Sequence, residues 1–404
     1  MRRLLLPLIL LLILAAGSGG FAAYQLARPL PLVAPVRLLP ESETLGGNPP
    51  QLPWPAQGSA AVGIMGMGPL AHSNDSRPHP IASITKIMTA YLTLLDHPLL
   101  PGDRGPAVTI TSADVATYER ELADGQSVVN VEAGETLDEY QLLQALLLPS
   151  GNNIADLLAV WDAGSIEGFA AKMNAKATEL GMTSTHFVDA SGVSPQTVST
   201  APDLILLAQT AMEDPVFADI VTQSQATLPV AGTVYNVDTA LGRAGIVGIK
   251  TGSTPEAGGC FVFASRQDVG GQMLVVLGAV LGQDQLNDAF DVSAQLAGAV
   301  PAGIAPRTVI TTDQEVASYD APWGAHVVAV PRDGIQVVSW PGANAELDVQ
   351  LEPLHAPTPA GAKVGTATVL VGSEKHTVDI VTTAPLDPPD RRWRILRPLQ
   401  EPAS

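Results

Sequence analysis

Ile81-Ala82-Ser83-Ile84-Thr85-Lys86-Ile87-Met88-Thr89-Ala90-Tyr91 is the stretch on which the reading of this chain turns. Pro80 precedes it, and apolar residues continue through Leu92, Leu94 and Leu95. Proline just ahead of a helical pattern suits a helix start, where its missing N–H is not needed. The run is apolar on nearly every side, which predicts a buried helix. A buried helix that opens with a hydroxyl and an ammonium needs a reason for both. Ser83 and Lys86 are three residues apart and so share one helix face. A serine hydroxyl is a weak nucleophile until a base takes its proton. Lysine serves as that base when burial or a neighbouring cation lowers its pKa. Backbone N–H groups at a helix N-terminus also favour developing negative charge. Alone, the four-residue pattern is common by chance, and an ordinary serine beside a solvated lysine is the default.

Two further motifs reverse that default. Ser150-Gly151-Asn152 follows Leu146-Leu147-Leu148-Pro149 and precedes Asn153-Ile154-Ala155. It is predicted to form a tight connection between two apolar helices, over residues 137–148 and 154–161. Lys250-Thr251-Gly252 ends a strand-like run that starts at Ile246, so Lys250 and Gly252 are expected on one strand face. The order S-x-x-K, S-x-N, K-T-G is that of active-site-serine enzymes that react with penicillin. Further matches occur at Glu179-Leu180-Gly181-Met182-Thr183-Ser184-Thr185-His186-Phe187, at Asp189-Ala190-Ser191-Gly192 and at Ser199-Thr200-Ala201-Pro202-Asp203-Leu204. The chain resembles the D-alanyl-D-alanine carboxypeptidases, the low-molecular-mass penicillin-binding proteins.

That resemblance implies a role for each motif residue. Ser83 is the nucleophile, Lys86 its base, and Ser150 the relay of a proton to the leaving amine. Asn152, Lys250, Thr251 and Gly252 are the implied substrate-binding residues. Asn152 would bond the substrate amide, Lys250 would supply positive potential, and Thr251 would meet the terminal carboxylate. The backbone N–H groups of Ser83 and Ser253 would form the oxyanion hole. The implied substrate is a peptidoglycan stem peptide ending in D-Ala-D-Ala, with β-lactams as covalent inhibitors. No cofactor and no metal is implied. Two departures stand out. Some relatives carry a basic residue after the second strand beyond the lysine motif, where this chain has Gly282-Gln283-Asp284-Gln285. Relatives often show Asn-x-Asn ahead of the lysine strand, where this chain has Asn236-Val237-Asp238.

Rival readings are weaker. A class A β-lactamase shares the three motifs but needs a deacylating glutamate. Glu167-Gly168-Phe169-Ala170 and Glu179-Leu180-Gly181-Met182 do not supply its motif, and Gly151 stands where that family usually has aspartate. A D,D-endopeptidase of peptidoglycan cross-links would use the same fold. A slow wall-binding or β-lactam-sensing protein is the non-enzymatic alternative, and three intact motifs argue against it. A zinc peptidase is disfavoured because His72, His79, His97, His186, His326, His355 and His376 lack ligand spacing. His186 is expected to be structural.

The whole chain sets the setting. With 404 residues and 46% apolar content there is room for two folded domains. A formal net charge of −19 excludes nucleic acid as a natural partner. The single cysteine, Cys260, rules out an internal disulfide and lies in an apolar run. Arg2, Arg3 and the apolar residues that follow predict a signal peptide or an N-terminal membrane anchor over residues 1–27. The protein is therefore expected outside the cytoplasm, secreted or held at the outer face of the membrane. Residues 28–57 carry many prolines and read as a semi-rigid linker. Residues 58–302 read as an α+β, β-lactamase/transpeptidase-like domain, with helices flanking an antiparallel sheet. Residues 306–384 read as a small all-β domain, and residues 385–404 as a basic, proline-rich tail holding Arg391-Arg392-Trp393-Arg394.

Overall fold

The strands Gly258–Val269 and Gln272–Gln283 form one long antiparallel hairpin. Continuous apolar runs such as Cys260-Phe261-Val262-Phe263-Ala264 are buried on both faces, so this hairpin is the middle of its sheet rather than an edge. The computed structural model describes residues 2–397 except 74 and 76, so the last seven residues of the expected tail lie outside it. By contacts the chain divides into residues 47–305 on one hand, and residues 1–46 with 306–404 on the other.

The first unit is α+β. Its sheet runs Ile246–Thr254, Gly258–Val269, Gln272–Gln283, Ser59–Ile64, Gly68–His72, antiparallel throughout. The lysine-motif strand is therefore an edge strand. Helix Leu286–Ala299 covers one face, with Phe290 edge-on to Phe261 at 5.0 Å between ring centroids. The flanking helices start on cues present in the sequence. Thr111 and Asp114 form a capping box for Ser112–Ala123, Asp138 and Gln141 another for Glu139–Leu147, and Thr200 with Pro202 opens Ala201–Glu213. Cys260 is fully buried, and burial pushes its thiol up to about 11. His186 is bridged to Val198 through its backbone, His186 N donating to Val198 O and Val198 N to His186 O.

Glu139, at the start of its helix, is fully buried, and neither carboxylate oxygen has a hydrogen-bond partner among the described residues. Burial pushes its carboxyl up to about 7. An acid whose pKa is higher folded than unfolded takes up a proton on folding, so stability falls as pH rises from about 4.5 to about 7. Glu139→Gln is expected to flatten that slope, by about 2 kcal/mol between pH 5 and 8. Urea unfolding across that range checks it, and an unchanged slope would refute it.

The second unit departs from expectation. Its seven-stranded sheet runs Pro35–Arg37, Ala317–Asp320, His326–Pro331, Glu374–Thr382, Lys363–Val371, Asn344–Leu351, Ser42–Thr44. Both edge strands come from residues expected to be linker. Val33, Leu39 and Leu45 are buried in the same apolar cluster as Tyr319, Val369 and Ile380. Residues 28–46 are thus part of the β unit, not a free spacer. Edge placement tolerates their prolines, since an edge strand leaves half its N–H groups unpaired.

The described end of the tail is docked in this unit. Arg397 donates through Nη2 to Gln25 O at 3.1 Å and to Arg28 O at 2.9 Å, at the end of helix Arg2–Ala27. Trp393, in the short helix Arg391–Leu396, packs edge-on to Trp323. Among the described residues no helix is long and apolar enough to cross a membrane.

Candidate active site

The Ser83 stretch does not open as an α-helix. Residues Ala82–Thr85 form a 3₁₀ turn, and the α-helix runs Lys86–Asp96. In a 3₁₀ turn residues i and i+3 eclipse each other, which stacks Lys86 on Ser83 more directly than an α-turn would. Lys86 Nζ lies 2.8 Å from Ser83 Oγ. Ala82 takes a left-handed conformation, φ 46°, rare for a residue with a Cβ and concentrated at functional sites.

Lys86 is fully buried. Its Nζ also donates to Asn152 Oδ1 at 2.6 Å and to Ser191 O at 3.0 Å. A neutral amine has two N–H bonds and one lone pair. Those two bonds satisfy Asn152 and Ser191, and the lone pair is left for the Ser83 proton. Burial, then the charge of Lys250, holds Lys86 well below the usual lysine range, against the pull of Asp189, Asp156 and Glu121. The geometry and the electrostatics both suit a general base.

Asn152 turns out to be a support of Lys86. Its Oδ1 is committed to the amine, and Nδ2 donates to Gln126 Oε1 at 2.8 Å. One Nδ2 hydrogen remains for the substrate contact expected from the sequence. Ser150 is buried and left-handed, φ 66°, and its Oγ has no hydrogen-bond partner among the described residues. A buried hydroxyl without a partner is costly unless a ligand or a reacting atom engages it.

Lys250 is also buried, and its Nζ donates to Thr251 O at 3.2 Å. Burial holds it down to about 7, with Asp238 opposing. The edge strand Ile246–Thr254 passes very close to the Ser83 turn. A Cβ added at Gly252 would lie 2.8 Å from Ile81 O and 3.1 Å from Ser83 N, so only glycine fits. Thr251 is buried and Ser253 exposed on the same strand. In the segment where some relatives carry a basic residue, Gln283 donates to Gln57 O and Leu281 O instead.

Several supports had no signature in the sequence. The Ser191 carbonyl holds Lys86, and Asp189 fixes that loop by accepting from Gly192 N, Ser194 N and Thr197 Oγ1. Asp189-Ala190-Ser191-Gly192 was visible as a family-like stretch, but nothing in it announces a carbonyl ligand.

A family model described as D-alanyl-D-alanine carboxypeptidase matches residues 69–280. The chain belongs to that family. Family members similar to it include the D-alanyl-D-alanine carboxypeptidase DacB2 of Mycobacterium tuberculosis, 36% identical over 214 residues, covering 51% of this chain and 68% of that one. A D-alanyl-D-alanine endopeptidase of Pseudomonas aeruginosa is 33% identical over 233 residues, 55% of this chain and 72% of that one. Among solved structures, the Streptomyces K15 DD-transpeptidase superposes with a TM-score of 0.54 at 28% identity, over 63% of this chain and all of that one.

Proposed function

We propose that this chain, a serine-type D-Ala-D-Ala carboxypeptidase, works through an acyl-enzyme on Ser83, removing the terminal D-alanine of peptidoglycan stem peptides. The single observation that carries the mechanism is the buried Lys86 amine, 2.8 Å from Ser83 Oγ with its other acceptors already assigned. Ser83 Oγ attacks the carbonyl carbon between the two D-alanines and its proton passes to Lys86. The oxyanion is met by the backbone N–H groups of Ser83 and Ser253. One such donor is typically worth about 10²–10³ in rate. Ser150 relays the proton held by Lys86 to the leaving nitrogen, which leaves Lys86 neutral again, and D-alanine departs. Water then cleaves the ester on Ser83, and the proton it gives up returns through Lys86. Lys250 supplies positive potential for the terminal carboxylate, and Thr251 contacts it. Penicillin, which presents a strained amide and a carboxylate in the same relation, acylates Ser83.

The protein acts outside the cytoplasm, exported by its N-terminal segment. Support comes from Arg2 and Arg3 ahead of an apolar run, the pattern of an export or anchoring segment.

The test measures D-alanine released from diacetyl-L-Lys-D-Ala-D-Ala, with the intact mass after penicillin. Release that disappears in Ser83→Ala, together with a drug-sized adduct mapped to Ser83, is the expected result. An adduct without release would overturn the carboxypeptidase reading in favour of cross-link cleavage, the activity in the name of the Pseudomonas relative. Cross-linked muropeptide dimers are the substrate to try in that case.

A further inference from the structure

Asn152 serves Lys86 in only one of its two amide orientations. As it stands, Oδ1 accepts from Lys86 Nζ at 2.6 Å, which uses one N–H of the amine and leaves its lone pair toward Ser83. Turned over, the amide would aim Nδ2 at the same nitrogen. It would then donate to the lone pair of the neutral amine, and a base whose lone pair is taken cannot accept the Ser83 proton. The oxygen and the nitrogen of an amide are alike in size, so packing alone does not choose between the two orientations. A hydrogen-bond partner on the far side does.

That partner is Gln126, which lies outside all three motifs. Its Oε1 accepts from Asn152 Nδ2 at 2.8 Å. The segment that carries it is clamped to the start of helix Asn152–Ala163. Ser127 O accepts from Asn152 N at 2.8 Å, and Val129 exchanges two bonds with the Asn153 amide, each 2.9 Å. Gln126 N donates to Glu121 O at 3.0 Å, which ties the other end to helix Ser112–Ala123. The acceptor is thus held from both sides against a buried asparagine.

We propose that Gln126 is a positioning residue for the general base: its Oε1 fixes the Asn152 amide with the oxygen toward Lys86, and so keeps the Lys86 lone pair free for Ser83. The proposal rests on the serine-acylation reading of the site. The charged groups acting on Lys86 are Lys250 on the edge strand, Asp189 in the Ser191 loop, Asp156 on the Asn152 helix and Glu121 on the helix before Gln126. A neutral substitution at 126 alters none of them. The ammonium form of Lys86 has no lone pair and orients the Asn152 oxygen by itself, so only the neutral form can be trapped by a turned amide. Loss of the Gln126 acceptor therefore slows acylation where Lys86 is neutral and leaves it unchanged where Lys86 is protonated. The midpoint of the pH profile moves toward acid by the same free energy.

The experiment follows penicillin acylation of the full chain by intact mass from pH 5.5 to 9.5, with drug dilute enough for the rate to report kcat/KM. Gln126→Leu fills the space without an acceptor. It is expected to lower the alkaline plateau about tenfold, the worth of one hydrogen bond, and to move the midpoint about one pH unit toward acid. At the acid end its rate should converge on that of the unaltered chain. Gln126→Glu accepts but has no donor to offer a turned Asn152, and should keep the plateau within about twofold, with its midpoint moved toward alkali by the added charge. Gln126→Ala replaces the leucine variant if that one does not fold. A plateau kept by the folded leucine or alanine variant would overturn the assignment. So would a rate lowered equally at every pH, or a loss shared by the glutamate variant, since either marks a distorted site rather than a turned amide. Failure of penicillin to label Ser83 in the unaltered chain would instead remove the reading on which the proposal rests.

Discussion

Lys86→Met and Lys86→Arg are each expected to lower D-alanine release by about 10³-fold or more, with the fold retained. The two substitutions fail for different reasons. Methionine has no lone pair to take the Ser83 proton. Arginine keeps a donor there but stays protonated at any working pH, so it cannot act as a base. If Lys86 only oriented Ser83, arginine would keep much of the rate. Retention of more than about a tenth of the activity in Lys86→Arg would therefore refute the base assignment. The pH profile gives a second check. Release by the unaltered chain should rise with pH as Lys86 loses its proton, with a midpoint well below the usual lysine range, because burial and Lys250 both disfavour the ammonium. Stability should change little in the methionine variant. Removing a buried amine relieves its desolvation, but it strands Asn152 Oδ1 and Ser191 O, each at about 1–3 kcal/mol. The two effects oppose each other, so a lost rate with a nearly unchanged unfolding midpoint is the signature.

What the sequence disclosed about this site, and what it hid, follows from where the chemistry resides. A nucleophile, its base, a proton relay and a carboxylate-binding cation need particular side chains, so Ser83, Lys86, Ser150 and Lys250 could be proposed for those roles from the sequence. Ser191 contributes only a carbonyl, which every residue has, so its role depends on how Asp189 folds the loop. The S-x-x-K spacing reads alike for an α-turn and a 3₁₀ turn, and the left-handed Ala82 that selects the latter carries no local cue. Asn152 was legible as a site residue, but both ends of its amide proved to be engaged within the protein. In the fold, the long buried strands and capped helices were readable from periodicity and cap chemistry. Residues 28–46 were not. Their prolines outweighed Val33, Leu39 and Leu45, which become core only once a sheet distant in sequence offers both its edges.

The loop that presents Ser191 also predicts the most damaging small change. Gly192 has φ +80°, and a Cβ there would lie 1.8 Å from Ala82 O and 2.5 Å from Thr85 Oγ1. Thr85 Oγ1 already donates to Ala82 O, so neither atom has room to yield without shifting the turn that carries Ser83. Gly192→Ala is expected to cost about 3–5 kcal/mol, the sum of a left-handed alanine and a backbone clash. Any folded remainder should acylate with penicillin about 10²-fold more slowly, since displacements near 1 Å at a reacting group carry penalties of that size. Gly181→Ala separates the two costs. Gly181 has nearly the same φ, +76°, but nothing lies within 4 Å of its added Cβ. It should lose only the conformational part, about 1 kcal/mol, with its acylation rate untouched. Urea unfolding and penicillin labelling of both variants decide the matter. Equal losses would mean that the Ser83 turn can move aside for a methyl group, and that its packing against Gly192 does not hold the nucleophile in place.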